Sequence, residues 1–140
     1  MQRAVDFLIN NVQKTEIPVA AIVVKDGEII AAACNRKEAE NDVTSHAEIL
    51  ALRDASKKLG RWRLQDCEMY VTLEPCPMCA WAILQSRIKA VYYGSYDVKY
   101  GAFGSVIDLR KYSGSKTKVI GGIMEKECDE ILKNFFEGLR

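Results

Sequence analysis

Histidine is nearly absent from this chain of 140 residues, which contains only His46, and it has just three prolines. Long apolar runs are lacking too: no stretch approaches the roughly 20 residues that cross a bilayer, so we expect no membrane-spanning segment. Net charge is also small, at +1, because 20 Lys and Arg oppose 19 Asp and Glu. No global basic field therefore argues for nucleic acid, and any such contact must use a local patch.

The bulk composition predicts one domain over residues 1–140, with 49% hydrophobic and 28% charged residues. The first residues show no signal-peptide pattern, so we expect a cytoplasmic protein. The cysteines number five, an odd set that suits metal binding in a reducing compartment better than a disulfide framework. We interpret Cys34, Cys67 and Cys128 as small buried hydrophobic residues.

Hydrophobic periodicity predicts helices alternating with strands. Helices are expected over 1–15, 46–59 and 77–85 and after Gly122, and strands over 18–25, 28–34, 68–73, 88–93 and 117–120. Asp26-Gly27 is a hairpin signal. Segment 35–45 is expected to be irregular, and segment 93–115, rich in Gly, Ser and Tyr, to be a functional loop. The alternation indicates an α/β protein with three layers around one sheet.

Two short motifs supply the side chains of a catalytic zinc site. His46 stands two residues before Glu48, and Cys76 and Cys79 have Cys-x-x-Cys spacing after Pro75. Three protein ligands leave the fourth position of a tetrahedral zinc open for water, whereas structural zinc sites are normally closed by four. His-x-Glu followed by Pro-Cys-x-x-Cys is the known signature of zinc-dependent nucleobase deaminases.

The motif residues suit hydrolysis. Water bound to zinc becomes hydroxide near neutral pH, and a carboxylate outside the ligand set, here Glu48, can carry its proton to the substrate. Helix N-termini near the thiols would lower their pKa. Taken separately, a Cys-x-x-Cys pair could be a redox dithiol or half of a four-cysteine site, and a single histidine could be a packed or capping residue. The combination favours catalysis.

Beyond the motif, the sequence resembles the cytidine deaminase superfamily and, more closely, its tRNA-specific adenosine deaminases. The blocks that carry the resemblance run through most of the chain in the family's order: 16–21, 35–36, 46–49, 70–76, 86–88 and 97–105. The resemblance implies a cytidine-deaminase-like α/β/α fold with a central mixed sheet of about five strands. It also implies a homodimer that deaminates adenosine to inosine at the wobble position of a tRNA anticodon stem-loop.

The same resemblance assigns roles to particular residues. His46, Cys76 and Cys79 would bind Zn²⁺, and Glu48 would transfer the proton. Asn35 would hydrogen-bond the target base, and Val19 would line its pocket. Further candidates for substrate contact are Asp97, Lys99 and Phe136. The base would first be splayed out of the anticodon loop.

Contacts with RNA need cations for phosphates and rings for bases. The candidate cations are Arg61, Arg63, Arg87, Lys89, Lys99, Lys116, Lys118 and Arg140. The candidate rings are Tyr96, Tyr100, Phe103, Phe135 and Phe136, of which Phe135 is equally suited to the core.

Some positions depart from the family pattern, namely Ala20, Val43, Trp81 and segment 113–118. Trp81 is expected either to pack at a helix or dimer boundary or to narrow access to the site.

The alternative function is deamination of a free nucleobase or nucleoside of guanine or cytosine type, because Pro77-Met78 also occurs in guanine deaminases. A zinc domain that only binds RNA or a partner is a third possibility, although such a domain has no use for Glu48.

Overall fold

The computed structural model describes residues 1–139 and contains a mixed sheet flanked by helices. The helices are α1 (Gln2–Asn11), α2 (Lys37–Glu40), α3 (Ala47–Leu59), α4 (Pro77–Gln85) and α5 (Glu125–Gly138). The strands are β1 (Ala20–Lys25), β2 (Glu28–Cys34), β3 (Cys67–Leu73), β4 (Ala90–Ser95) and β5 (Lys118–Ile120), and a 3₁₀ turn covers Leu109–Tyr112.

The sheet has the strand order β2-β1-β3-β4-β5. Strand β1 is antiparallel to both of its neighbours, whereas β3, β4 and β5 run parallel. The β1–β2 hairpin turns at Asp26 and Gly27, both with positive φ (51° and 78°), as the right-handed twist of hairpin strands favours. The carboxyl ends of the three parallel strands meet at one edge, which is where the site lies.

Side chains of β1 point alternately to two apolar layers. Ala21 and Val23 belong to the main core, which also contains buried residues of α3 and α4. Ile22 and Val24 point the other way and pack with Ala4 of α1. Helix α5 lies against β4. The predicted three-layer α/β/α fold with a mixed sheet of five strands is thus confirmed.

Two short elements fall where the sequence predicted irregular chain. Helix α2 forms in segment 35–45 because the buried Glu16 carboxylate accepts hydrogen bonds from the amides of Glu38 and Ala39, at 3.1 and 2.8 Å. The 3₁₀ turn lies inside segment 93–115 and is capped by Asp108, which accepts from the Arg110 amide. Both depend on specific side-chain contacts and not on apolar periodicity.

The cysteines outside the motif, Cys34, Cys67 and Cys128, are all buried, and none forms a disulfide. Their interpretation as small hydrophobic residues is confirmed. Over residues 1–139, the helices are all too short or too polar to cross a bilayer.

Candidate active site

The starts of two helices bring the three predicted metal ligands together. His46 is the residue that precedes α3, and Cys76 precedes α4, whose first turn contains Cys79. The His46 Nδ1 atom lies 3.7 Å from the Cys76 Sγ atom and 3.4 Å from the Cys79 Sγ atom. All three ligand atoms lie within 4.8 Å of one another, although 30 residues separate the two motifs. The group is compatible with a metal ion.

The spacing of these atoms fits zinc. With Zn–S near 2.3 Å and Zn–N near 2.0–2.1 Å, tetrahedral angles place sulfur and nitrogen ligands about 3.6 Å apart. The two observed nitrogen–sulfur distances, 3.7 and 3.4 Å, lie on either side of that value. One imidazole and two thiols are also a donor set that zinc prefers, with one coordination position left for solvent or substrate.

The three ligands perturb one another's protonation. The hydrogen bond from the Cys79 thiol lowers the pKa of Cys76 to about 4, and the same pairing raises the pKa of Cys79. The hydrogen bond to Cys76 also raises the pKa of His46. These directions favour a thiolate at Cys76 and a proton on Cys79, and a bound cation would displace that proton, because metal binding couples to pKa.

Glu48 lies beside this cluster in the first turn of α3 and is only 4% exposed. It lines the same cavity as His46 and Cys76 but does not belong to the three-residue metal group. Burial raises the pKa of its carboxyl group to about 7. A carboxyl group with that pKa can both accept and donate a proton near neutral pH, which suits general acid–base chemistry.

The cavity at this edge of the sheet has a volume of about 250 Å³. Three of the predicted substrate-binding residues, Val19, Asn35 and Asp97, line it together with His46, Glu48 and Cys76. The other lining residues are Thr15, Glu16, Ile17, Lys37, Glu38, Leu73, Glu74 and Tyr100. Pockets for drug-sized ligands usually hold about 300–1,000 Å³. The cavity is therefore of a size that suits a small ligand such as one nucleobase.

The Asn35 side chain is held in place on both sides. Its Oδ1 atom accepts a hydrogen bond from the Ala47 amide at 2.8 Å, and its Nδ2 atom donates to the Ile17 carbonyl at 3.1 Å. A side-chain amide has two donors and an acceptor with two lone pairs. One N–H and one lone pair thus remain for a ligand.

Three residues singled out from the sequence do not line the cavity. Lys99 is in the same loop as Asp97, and its ammonium group lies over the ring of Tyr100. Phe136 is 46% exposed on α5 and packs edge-to-face on Phe135, with ring centroids 5.2 Å apart. Trp81 is 39% exposed on α4, so the structure gives no support to the idea that it narrows access to this cavity.

Glu74 is a residue of the cavity lining whose role in holding a loop the sequence did not predict. Its buried carboxylate accepts hydrogen bonds from the amides of Asp97, Phe103 and Ser105 at 3.1–3.2 Å, and from the Ser105 hydroxyl. Gly101 packs so closely on it that an added Cβ would lie 2.5 Å from the Glu74 carboxyl carbon. Glu74 therefore holds together the loop that contributes Asp97 and Tyr100 to the cavity.

Acidic residues beside apolar strands are the signal that could have revealed this function. Glu74 directly follows β3 and Glu16 shortly precedes β1, and both side chains are almost fully buried. Buried carboxylates are almost always paired or hydrogen-bonded, so each predicts a set of donors. Their donors come from segments 22 to 31 residues away, which sequence spacing alone does not identify.

Most of the candidate phosphate-binding cations lie at the other end of the parallel strands. Arg61 and Arg63 precede β3, Arg87 and Lys89 precede β4, and Lys116 precedes β5. The seven residues of β3 separate the two ends by roughly 20 Å. Lys118 begins β5 at that same far end, Lys99 lies beside the cavity, and Arg140 lies outside the described residues. The candidates do not form one track beside the cavity on this chain.

Comparisons with known proteins agree with the fold and with the family resemblance. The sequence model of the MafB19-like deaminase family matches residues 1–140. The tRNA-specific adenosine deaminase of Bacillus subtilis is 43% identical over 130 residues, which cover 91% of this chain and 81% of that protein.

Two solved structures of deaminases are also similar to this chain in fold and in sequence. A structure from work on A-to-I editing by tRNA:A34 deaminases is 40% identical, with a TM-score of 0.86, and the match covers 94% of this chain and 97% of that one. A guanine deaminase of Bacillus subtilis is 37% identical, with a TM-score of 0.63, over 76% of this chain and 78% of that one. By fold, motif and sequence identity, the chain belongs to the family of the tRNA-specific adenosine deaminases, within the deaminases that the MafB19-like model describes.

Proposed function

We propose that this chain is a zinc-dependent hydrolase that converts adenosine to inosine at the wobble position of a tRNA anticodon. The observation that carries the proposal is the placement of Glu48, a buried carboxylate that faces the cavity beside a three-ligand metal group without belonging to it. A site that only binds metal gains nothing from this residue, whereas a hydrolytic site needs a group that moves protons. Relatives named for tRNA adenosine deamination supply the substrate class.

The roles of the side chains follow from their positions. His46, Cys76 and Cys79 would hold the zinc ion, which would act as a Lewis acid on a water molecule. Glu48 would carry one proton of the water to N1 of adenine as the water oxygen bonds to C6. It would then carry the remaining hydroxyl proton to the exocyclic amino group, so that the C6–N bond breaks, ammonia leaves and the C6 carbonyl of inosine forms. Asn35 offers its free N–H and lone pair to the edge of the base, and Val19 contacts its face.

Access to the site requires that the target base leave its stack. A cavity of about 250 Å³ admits a single base, and Glu48, which lines the cavity, is almost fully buried. Extruding a nucleotide costs a few kcal/mol in a duplex and less in a loop that is already partly unstacked. The wobble position, in a single-stranded loop, meets this condition.

We further propose that one domain over residues 1–140 carries this activity as a cytoplasmic homodimer acting on the anticodon stem-loop. A reducing compartment keeps the two ligand thiols available for zinc. Four exposed apolar side chains are candidates for the contact between two copies: Met78 and Trp81 on α4, and Val106 and Ile107 before the 3₁₀ turn. Sedimentation of the wild-type protein and Trp81→Glu tests the contact, with a shift to monomer expected in the variant.

Deamination of a free base is the second candidate function, and the similarity to the guanine deaminase of Bacillus subtilis is the observation that favours it. One experiment separates the two functions. The zinc-loaded protein is incubated with a stem-loop that carries a wobble adenosine and, in parallel, with guanine, adenine, cytosine and cytidine. We expect inosine and ammonia from the RNA alone. Turnover of a free base without turnover of the RNA would overturn the proposed function.

A further inference from the structure

Tyr100 differs from the other candidate rings in its position. Within residues 1–139, it is the one Phe, Tyr or Trp residue that lines the cavity, and it remains 57% exposed. Tyr96 packs edge-to-face on a buried tyrosine, and Phe103 is buried. Phe135 and Phe136 pack on each other, outside the cavity lining. Among the candidate rings, Tyr100 alone both lines the cavity and is exposed.

The backbone under this ring is firmly held. The Asp97 Oδ1 atom accepts hydrogen bonds from the amides of Lys99 and Tyr100, both at 3.0 Å, and the Gly101 amide donates to the Asp97 carbonyl at 2.8 Å. The Glu74 carboxylate anchors both ends of the loop. With its backbone held, Tyr100 has only two side-chain torsions left to order, so a ligand that stacks on its ring loses little entropy.

The positively charged ammonium group of Lys99 lies near the ring of Tyr100. The Lys99 Nζ atom lies 5.3 Å from the ring centroid of Tyr100, and within residues 1–139 it forms no ion pair. An aromatic face beside an ammonium group is the combination that single-stranded nucleic acid uses, since bases stack on the ring and phosphates meet the cation.

We propose that Tyr100 and Lys99 form a subsite for the nucleotide next to the edited adenosine, with its base stacked on the Tyr100 ring and its phosphate at the Lys99 ammonium. The inference rests on the proposed function, because it requires an RNA substrate. It follows from the position of the ring: when the target base is in the cavity beside Glu48, the neighbouring nucleotide lies towards solvent, and Tyr100 lines the cavity while remaining exposed.

The experiment compares Tyr100→Ala and Tyr100→Phe with the wild-type zinc-loaded protein on an anticodon stem-loop. A base that stacks on an aromatic ring contributes to the free energy of binding. Loss of the ring in Tyr100→Ala should therefore raise KM about 5- to 150-fold with little change in kcat. Tyr100→Phe keeps the ring and should keep the wild-type KM. Tyr112→Ala is the matched control, because Tyr112 is 76% exposed and does not line the cavity. Zinc content and melting temperature verify that each variant is folded.

A second set of RNAs locates the stacked base. Stem-loops with an abasic site on the 5′ or the 3′ side of the target adenosine are assayed with the same variants. On one of these two abasic RNAs, Tyr100→Ala should no longer raise KM, because the base that stacks on the ring is absent from that RNA. An unchanged KM for Tyr100→Ala, or an equal loss on all three RNAs, overturns the subsite alone. Failure of the wild-type protein on the intact stem-loop overturns the proposed function and the subsite with it.

Discussion

The Asn35 side chain accepts a 2.8 Å hydrogen bond from the Ala47 amide, and this bond joins the end of β2 to the start of α3. Ala47 is fully buried and follows His46 directly, so its N–H has no access to bulk water. First-turn amides of a helix lack a partner within the helix. Asn35 thus supports the helix that carries His46 and Glu48, in addition to its proposed contact with the base.

Replacing Asn35 with Ala should therefore destabilise the fold as well as reduce activity. The buried Ala47 amide would lose its acceptor, which costs about 1–3 kcal/mol. Urea denaturation measures the loss, and Asn10→Ala is the control, because Asn10 lies on the exposed face of α1 and should shift stability by less than about 0.5 kcal/mol. Equal stabilities of Asn35→Ala and the wild type would show that the hydrogen bond does not support α3.

Cys79→Ser should bind zinc far more weakly than the wild-type protein. The substitution removes one of the three proposed ligands and substitutes a hydroxyl group, which is a poor zinc ligand compared with a thiolate. Metal analysis after dialysis checks the result, with Cys128→Ala as a control that removes a buried thiol outside the site. Full zinc occupancy in Cys79→Ser would mean that the ligand set is wrong.

Glu48→Gln should keep zinc and fold but lose activity about 10²- to 10⁴-fold, the contribution typical of a general acid or base. The amide has nearly the same shape as the carboxyl group but cannot transfer the proton. Single-turnover rates on the stem-loop give the magnitude. Glu28→Gln, an exposed change on β2, should leave the rate unchanged. A near-normal rate for zinc-loaded Glu48→Gln would remove this residue from the mechanism.

Glu74→Gln should loosen the loop over 97–105. The new NH₂ group would face amide donors where the carboxylate now accepts, so each lost bond leaves a buried donor unpaired at a cost of about 1–3 kcal/mol. Hydrogen exchange should become faster for the amides of Phe103 and Ser105. In the matched variant Glu16→Gln, exchange should increase at Glu38 and Ala39 instead. Identical exchange patterns in the two variants would contradict separate anchoring roles.

Binding of the stem-loop should weaken as salt rises, because phosphate contacts release counterions. Lys99→Ala should reduce the slope of log affinity against log salt by about 0.7–0.9, the value of one phosphate contact. Arg87→Ala, at the far end of the strands, should leave the slope unchanged. If Arg87→Ala reduces the slope and Lys99→Ala does not, the RNA lies along the other end of the sheet.

Much of the fold was predictable because its signals are local. Strand β2 and helix α4 begin and end where apolar periodicity, Asp26-Gly27 and Pro77 indicated. The metal group was predictable for a related reason: Cys76 and Cys79 are brought together by a single helical turn. Their approach to His46 followed from the resemblance and not from spacing. Helix α2 and the 3₁₀ turn were missed because distant or polar contacts form them.

The sequence by itself determined the fold class and the family, and it predicted the metal ligands and the proton carrier, since the motifs that indicate them are particular residue types at short spacings. Only the tertiary structure decided which side chains share the cavity. It placed Tyr100 and Glu74 there, left Phe136 and most of the basic candidates elsewhere, and set the orientation of Asn35. The physical reason is that these positions depend on how strands separated by 20 or more residues pair in one sheet, and on buried carboxylates that recruit donors from distant loops.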